Sequence, residues 1–342
     1  MKRLSLYFTA PYELEIREEA LPPPASDQVL VQTLFSAVSP GTEMLIYRGQ
    51  VPPGMATDET IGALAGQFNY PLKYGYAAVG RVVALGSRVE RVWGDRMVFA
   101  FHPHESHFLA NPADLITVPD AITPETAAFL PNMETAVSFL MDGQPTIGEQ
   151  VAVFGQGIVG LLTTALLASL PLASLVTLDH YPLRRDWSRR LGAHAALDLA
   201  PPDLLDQLQH HLQGDRPYMG ADLAYELSGN PQALDQAIAA TGFNGRIIVG
   251  SWYGQKQASL NLGGRFHRSH MRLISSQVSH IAPQWRGRWS KDRRRQQAWV
   301  MLARHSLASL ITHRFPFGRV SEAYQLLDQA PQETIQVLLT YD

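Results

Sequence analysis

The chain has 342 residues, 46% of them apolar and 17% charged, with no cysteine and a formal net charge of −3. That length suits two domains, and the apolar fraction is ample for two packed cores. The absence of thiols excludes disulfides, thiolate zinc sites and a cysteine nucleophile, and the slight acidic excess gives no general pull toward nucleic acid or an anionic membrane.

Residues 1 to about 130 read as mostly β. The basic start acquires acids early and lacks a long apolar run, so it is not a secretion signal, and a cytoplasmic location is expected. Leu4 to Phe8, Leu14 to Arg17 and Val29 to Leu34 are strand-like, with Pro22, Pro23 and Pro24 as a rigid spacer. Val79 to Leu85, Arg96 to Phe101 and Leu115 to Val118 are further strands. Among them lies FHPHESHF, with His102, His104, Glu105 and His107. In an extended strand alternate residues share a face, so His102 and His104 could point one way, as metal ligands or as an acid–base pair. A strand-end loop with partly exposed imidazoles is the plainer alternative.

Ala127 to Asp142 reads as a helix leading into VAVFGQGIVGLLTTALLASLPLASLVTLD, Val151 to Asp179. Its apolar start can be buried on both faces, as the centre of a parallel sheet requires. Gly155, Gly157 and Gly160 then form G-x-G-x-x-G. The first permits a tight turn, the second lets a pyrophosphate approach the backbone, and the third lets helix and strand pack closely. The next helix offers free N–H groups and a positive dipole end to a phosphate. Asp179 ends the following strand, where a carboxylate accepts from the ribose hydroxyls and repels the extra phosphate of NADP. The cofactor expected is therefore NAD rather than NADP. Ile158 to Leu178 is uncharged and long enough for a membrane span, but Pro171 inside it and Asp179 directly after it favour helix, loop and strand.

Arg184, Arg185 and Leu191 lie on an amphipathic helix ended by Gly192, with a solvated face or a phosphate contact as the role of the arginines. Ala195 to Leu199, Ala221 to Ser228, Gly245 to Trp252 and Leu273 to Val278 complete six strands, alternating with helices. This predicts an α/β fold: a Rossmann doubly wound parallel sheet, with Ser228, Gly250 and Ser251 near the ligand at its C-terminal edge. The run WRGRWSKDRRR, Trp285 to Arg295, mixes cations and aromatics; a solvated helix face is its default reading, with substrate carboxylates or single-stranded nucleic acid as alternatives. A helix, Val320 to Gln329, and a strand, Ile335 to Tyr341, follow. The expected division is 1–130 with 280–342 as a mostly β catalytic domain and 131–279 as the dinucleotide-binding domain.

SPGTE (Ser39 to Glu43), KYGYAAVG (Lys73 to Gly80), the glycine turn and LGA (Leu191 to Ala193) resemble the alcohol dehydrogenase type of the medium-chain dehydrogenase/reductase superfamily, nearly over the whole chain. FHPHESHF, NMETA, SWYG, LGGRFH and SSQV look like the branch containing bacteriochlorophyllide a dehydrogenase. The resemblance implies a GroES-like catalytic domain beside the Rossmann domain, a homodimer or homotetramer, and interconversion of a secondary alcohol and a ketone, such as a hydroxyethyl group on a large aromatic ring. It also implies departures. The family's zinc ligands fall at Pro40, Tyr76 (followed by Ala77) and near Pro131, and the four-cysteine lobe is missing, so no metal is expected. Gln336 falls where many relatives carry a phosphate-binding arginine.

The residues expected to carry the proton are Thr42, at the position of the superfamily's relay hydroxyl, with Tyr76, His102 or His104, and with Glu43 as base or loop brace. The expected cofactor set is Gly155, Gln156, Gly157, Ile158, Val159, Gly160, Asp179, Arg184, Thr135, Ser228, Gly250 and Ser251. The partners expected are a small-molecule substrate and further copies of the chain, without nucleic acid or membrane. A metal-free quinone or enoyl reductase and a non-catalytic dinucleotide sensor or scaffold are the alternative functions.

Overall fold

The computed structural model describes residues 1–52, 54–57, 61–212 and 219–341. They form two compact units, residues 1–131 with 302–342, and residues 132–301.

The first unit begins with an antiparallel hairpin of β1 (Lys2–Ala10) and β2 (Glu13–Ala20). After β3 (Val29–Val38) the chain turns into a short helix, α1 (Thr42–Tyr47). Then come β4 (Ala78–Leu85), β5 (Met97–Ala100), β6 (His107–Ala110), β7 (Ile116–Thr117) and α2 (Pro124–Ala127). Val29, Val31, Ala78, Val82, Val98, Ala100 and Phe108 are buried together as the core beneath β3 to β6.

The chain enters the second unit through α3 (Leu130–Gly143). It then runs β8 (Gln150–Phe154), α4 (Ile158–Leu167), β9 (Ser174–Leu178), α5 (Pro182–Arg190), β10 (Ala195–Leu197), α6 (Leu204–His211), β11 (Ala221–Glu226), α7 (Pro231–Ala240), β12 (Thr241–Val249) and β13 (Arg272–Ser275). The strand order is β10-β9-β8-β11-β12-β13, all parallel, which is the doubly wound order with its switch point between β8 and β11. Side chains alternate between two cores. Ala152, Phe154, Val176 and Leu178 face one layer, and Val151, Val153, Leu175 and Tyr225 the other. Both faces are covered, which is why these strands read as continuous apolar runs.

After α8 (Lys291–Arg304) the chain adds β14 (Ile311–Pro316), α9 (Val320–Gln329) and β15 (Gln336–Thr340) to the first unit. Its sheet order is β14-β15-β3-β4-β5-β7, with β6 also on β3.

Three differences from the sequence reading have physical causes. α6 was not foreseen, though Leu204, Leu208 and Leu212 form its buried stripe at helical spacing. β14 is a sheet-edge strand that alternates weakly and ends in proline, so little in its sequence marks it. The boundary between the units falls after Met301 rather than near 280. Arg294, read as part of a solvated face, is buried, donating to Glu134 and Ser138 of α3, and this ties its segment to the second unit. Ile158 to Leu178 folds as α4, a loop and β9, and no helix among the described residues is long and apolar enough to cross a membrane.

Candidate functional site

In the second unit the glycine turn joins β8 to α4. Gly155 has φ +92°, a conformation that favours glycine, and a Cβ there would lie 2.5 Å from Ser228 Cα. A Cβ on Gly160 would lie 2.0 Å from the carbonyl oxygen of Gly155. Gly157, the residue before the first turn of α4, is different: a Cβ there would meet nothing within 4 Å. The first and third glycines are thus demanded by the fold, while the second leaves open space over helix N–H groups, as a pyrophosphate needs. Asp179 is buried at the end of β9 and accepts from the backbone N–H groups of Gln156 (2.7 Å) and Tyr181 (2.9 Å). Each oxygen keeps a further lone pair. The turn therefore fits a dinucleotide.

Several expected cofactor contacts serve the protein itself. The Gln156 side chain turns inward, donating to Gly155 O and accepting from Thr164. Ile158 is buried and Val159 packs on the core, so both offer a ligand only the backbone of the helix start. Ser228 Oγ donates to the buried carboxylate of Glu226 at 2.5 Å, and Ser251 Oγ accepts from Gly229 N at 2.8 Å, so both hydroxyls hold the β11–α7 turn. Gly250 is small because a Cβ would strike Phe139 at 2.3 Å. Thr135 lies half-buried on α3. Arg184 is no solvated residue: its guanidinium lies over the Tyr181 ring and 3.9 Å from Asp179. Arg185 bonds the carbonyl oxygens of Asp179 and His180. Gln336 is buried in the first unit, its amide donated to Val38 O and Val337 O.

In the first unit, Thr42 opens α1 and its hydroxyl bonds the Tyr76 hydroxyl, which also donates to Ser39 Oγ. Burial pushes the Tyr76 phenol up from its ordinary value, and the Glu43 charge adds to this against the two hydroxyl bonds. Tyr76 therefore stays a donor at neutral pH. Glu43, fully buried, accepts from Ser39 N (2.8 Å), from His104 Nε2 (2.9 Å) and from the Tyr324 hydroxyl. On its other side His104 Nδ1 lies 2.7 Å from Ser36 Oγ, which lies 2.8 Å from the Tyr341 hydroxyl. With the proton on Nε2 the whole chain points one way, from Tyr341 through Ser36 and His104 to Glu43. Burial, followed by the Glu43 charge, raises the Tyr324 phenol well above its ordinary value, so this donor stays protonated.

His102 and His104 do not share a face. The segment between β5 and β6 is not a strand, and Glu105 bridges to Ser5 of β1, so successive side chains diverge. His104 goes into the buried network. His102 stacks on Phe108, ring centroids 4.0 Å apart, beside Glu105, which accepts from Arg3 (3.0 Å), Ser5 (2.9 Å) and Lys73 (2.7 Å). His107, half-buried, bonds Ser106. Among the described residues no three His, Asp or Glu groups stand together as a metal site. Sequence reasoning missed Ser36, Tyr324 and Tyr341, which reach the network from distant strands and helices with no local signal.

No protein-family model matches the chain. The uncharacterized zinc-type alcohol dehydrogenase-like protein YphC of Escherichia coli K12 is 23% identical over 361 residues, 95% of each chain. D-guloside 3-dehydrogenase of the same organism is 24% identical over 332 residues, 92% of this chain and 93% of that one. An Escherichia coli CFT073 alcohol dehydrogenase solved with the cofactor NADH superposes with a TM-score of 0.79 at 18% identity over 99% of both chains, a likeness that shows the fold. With the doubly wound sheet, its glycine turn and these full-length relatives, the chain is similar to the alcohol dehydrogenase type of the medium-chain dehydrogenase/reductase superfamily, and it is an oxidoreductase.

Proposed function

We propose that the protein is an NAD-dependent dehydrogenase that interconverts a secondary alcohol and a ketone without a metal. The observation that carries this reading is the glycine turn braced by Asp179, with open space only over Gly157. When bound there, the nicotinamide cofactor exchanges a hydride with the carbinol carbon. The carboxylate of Asp179 keeps lone pairs for ribose hydroxyls and opposes a phosphate in their place, which supports NAD over NADP.

The remaining proton is the task of the first unit. Thr42, Tyr76 and Ser39 form a connected set of hydroxyls. Tyr76, held protonated, turns its one hydroxyl hydrogen from Ser39 Oγ to the substrate oxygen as negative charge grows on it, and Thr42 accepts the alcohol proton while releasing its own hydroxyl proton toward solvent. Glu43 and His104, fully engaged with each other, Ser39 and Tyr324, position the Ser39–Thr42 segment rather than touch substrate.

Zinc does not fit the positions where the resemblance places its ligands. Pro40 and Pro131 have no donor side chain, Tyr76 keeps its phenol proton, and Ala77 replaces a carboxylate. The decisive experiment is oxidation of secondary alcohols with NAD after exhaustive chelation, alongside elemental analysis. Retained turnover with sub-stoichiometric metal is expected; loss of turnover restored by zinc would overturn the metal-free reading. A substrate panel including polyols and a hydroxyethyl chlorin, the narrower substrate of the branch-like segments, settles what alcohol is used. Preferential enone reduction with NADPH would favour the reductase alternative, and dinucleotide binding without any turnover the sensor.

A further inference from the structure

Glu226 ends β11 as a fully buried carboxylate that the dehydrogenase chemistry above does not use. Its place, its partners and its charge point to one role.

The place follows from the sheet. In a doubly wound sheet a dinucleotide lies across the C-terminal strand ends at the switch point. Here the pyrophosphate turn follows β8, and Asp179, read above as the partner of the adenosine ribose, follows β9 on one side of it. The nicotinamide half of the cofactor then extends the opposite way, over the ends of β11 and β12. Those ends carry Glu226, Ser228 and Gly229, and Gly250 and Ser251; only Glu226 of these five is charged. The end of β11 is also tied to the glycine turn. Leu227 N donates to Phe154 O, and a Cβ on Gly155 would lie 2.5 Å from Ser228 Cα.

The partners of the carboxylate are all neutral. One oxygen accepts from the backbone N–H of Ser228 at 2.8 Å and from the Ser228 hydroxyl, the other from the Tyr253 hydroxyl. Burial, followed by the Glu226 charge, raises the Tyr253 phenol above its ordinary value, so this donor keeps its proton. Every bond is accepted and none donated, as an ionised carboxylate requires. Among the described residues no arginine, lysine or histidine pairs with Glu226; Lys256, exposed in the loop after β12, bonds Gly229 O. Asp179, by contrast, has the Arg184 guanidinium 3.9 Å away. A buried charge without a cation costs the fold stability, and a cationic ligand nearby offsets that cost.

The charge discriminates between the two forms of the cofactor. The oxidised nicotinamide ring is positive; a hydride arriving from the carbinol carbon, electron pair included, leaves the ring neutral. A fixed carboxylate attracts the first form and not the second. At an effective dielectric constant of about 20, unit charges roughly 10 Å apart attract enough to change an affinity about tenfold.

We propose that the buried Glu226 carboxylate gives the site a preference for the oxidised, cationic form of the nicotinamide cofactor over the reduced, neutral one, and so loads the protein with the oxidant. This rests on the dehydrogenase reading.

The test is calorimetric titration of the full chain with NAD⁺, NADH and ADP-ribose, which lacks the nicotinamide, for the unaltered protein, Glu226→Gln and Tyr253→Phe. Gln keeps the shape, and the Tyr253 hydroxyl can turn to accept from its amide. Glu226→Gln is expected to weaken NAD⁺ by about tenfold while NADH and ADP-ribose change by less than about threefold. Tyr253→Phe removes a donor and leaves the charge, so the NAD⁺-to-NADH preference is expected to hold or to rise. A residue that merely braces the turn would move all three ligands together. Equal losses for the three ligands, or an unchanged preference in Glu226→Gln, would overturn the proposal. So would a shift toward NADH in Tyr253→Phe, which decides the matter even where the Gln variant does not fold. Tight binding of NAD⁺ and NADH with an unchanged preference in Glu226→Gln removes this role and leaves the dehydrogenase standing. Binding of neither by the unaltered protein removes the dehydrogenase reading and this role with it.

Discussion

Asp179 Oδ2 accepts the backbone N–H of Gln156 at 2.7 Å, so the acid that ends β9 also holds the glycine turn after β8 in shape. On the proposed NAD reading, ribose recognition and order in the pyrophosphate turn share one carboxylate. Asp179→Asn replaces an oxygen with an N–H₂ that cannot accept. We expect NADH affinity to fall by about 10- to 100-fold, and a loss of roughly 1–3 kcal/mol of stability, since a buried N–H is left without its acceptor. Fluorescence titration and thermal unfolding measure the two together; an unaltered NADH affinity would remove Asp179 from the cofactor site.

The glycines should separate cleanly. Gly160→Ala puts a Cβ 2.0 Å from a backbone oxygen and should destabilise the second unit by about 1–3 kcal/mol or more. Gly157→Ala meets nothing within 4 Å, so unfolding should change by less than about 1 kcal/mol while dinucleotide binding is lost. Equal effects of the two on binding and stability would contradict the assignment of Gly157 to the ligand.

Tyr76→Phe and Thr42→Val each remove one hydroxyl from the connected set with Ser39. Each should lower kcat by about 10²- to 10⁴-fold with NADH affinity intact. Steady-state kinetics with a responsive alcohol checks this. Full activity of Tyr76→Phe would move the proton to another group.

Glu43 is buried with three donors around it. Glu43→Gln keeps the shape but sets an amide N–H₂ against one of them, and we expect the first unit to lose on the order of 3–5 kcal/mol, as when a buried pair is broken. Denaturant unfolding gives the value, and a loss below 1 kcal/mol would mean the network carries little of the fold.

His102 gives the folded chain a pH dependence. Burial holds its folded value at about 4, below the ordinary 6.5, so between those values the unfolded chain binds the proton and the folded chain does not. Stability is therefore full above about pH 6.5 and declines as the pH falls toward 4, by on the order of 2–3 kcal/mol. His102→Phe should flatten that part of the unfolding profile, and an unchanged slope would show that His102 does not titrate in this range.

The sequence by itself determined the doubly wound sheet and its turn, because both follow from local chemistry. Apolar runs buried on two faces make parallel strands, and a positive φ at Gly155 or a 2.0 Å approach at Gly160 admits only glycine. It also singled out Thr42, Tyr76 and Asp179 as candidates, through the segments that carry them. Only the tertiary structure decided what the charged groups do. His102 and His104 are two residues apart yet belong to different neighbourhoods, one stacked on Phe108 and one against Glu43. Tyr324 meets Glu43 across 281 residues, and Tyr341 meets Ser36 across 305. Arg294 leaves a basic run for a buried partner on α3. Hydrogen-bond partners and desolvation depend on which distant segments the fold brings together, and no local pattern records that.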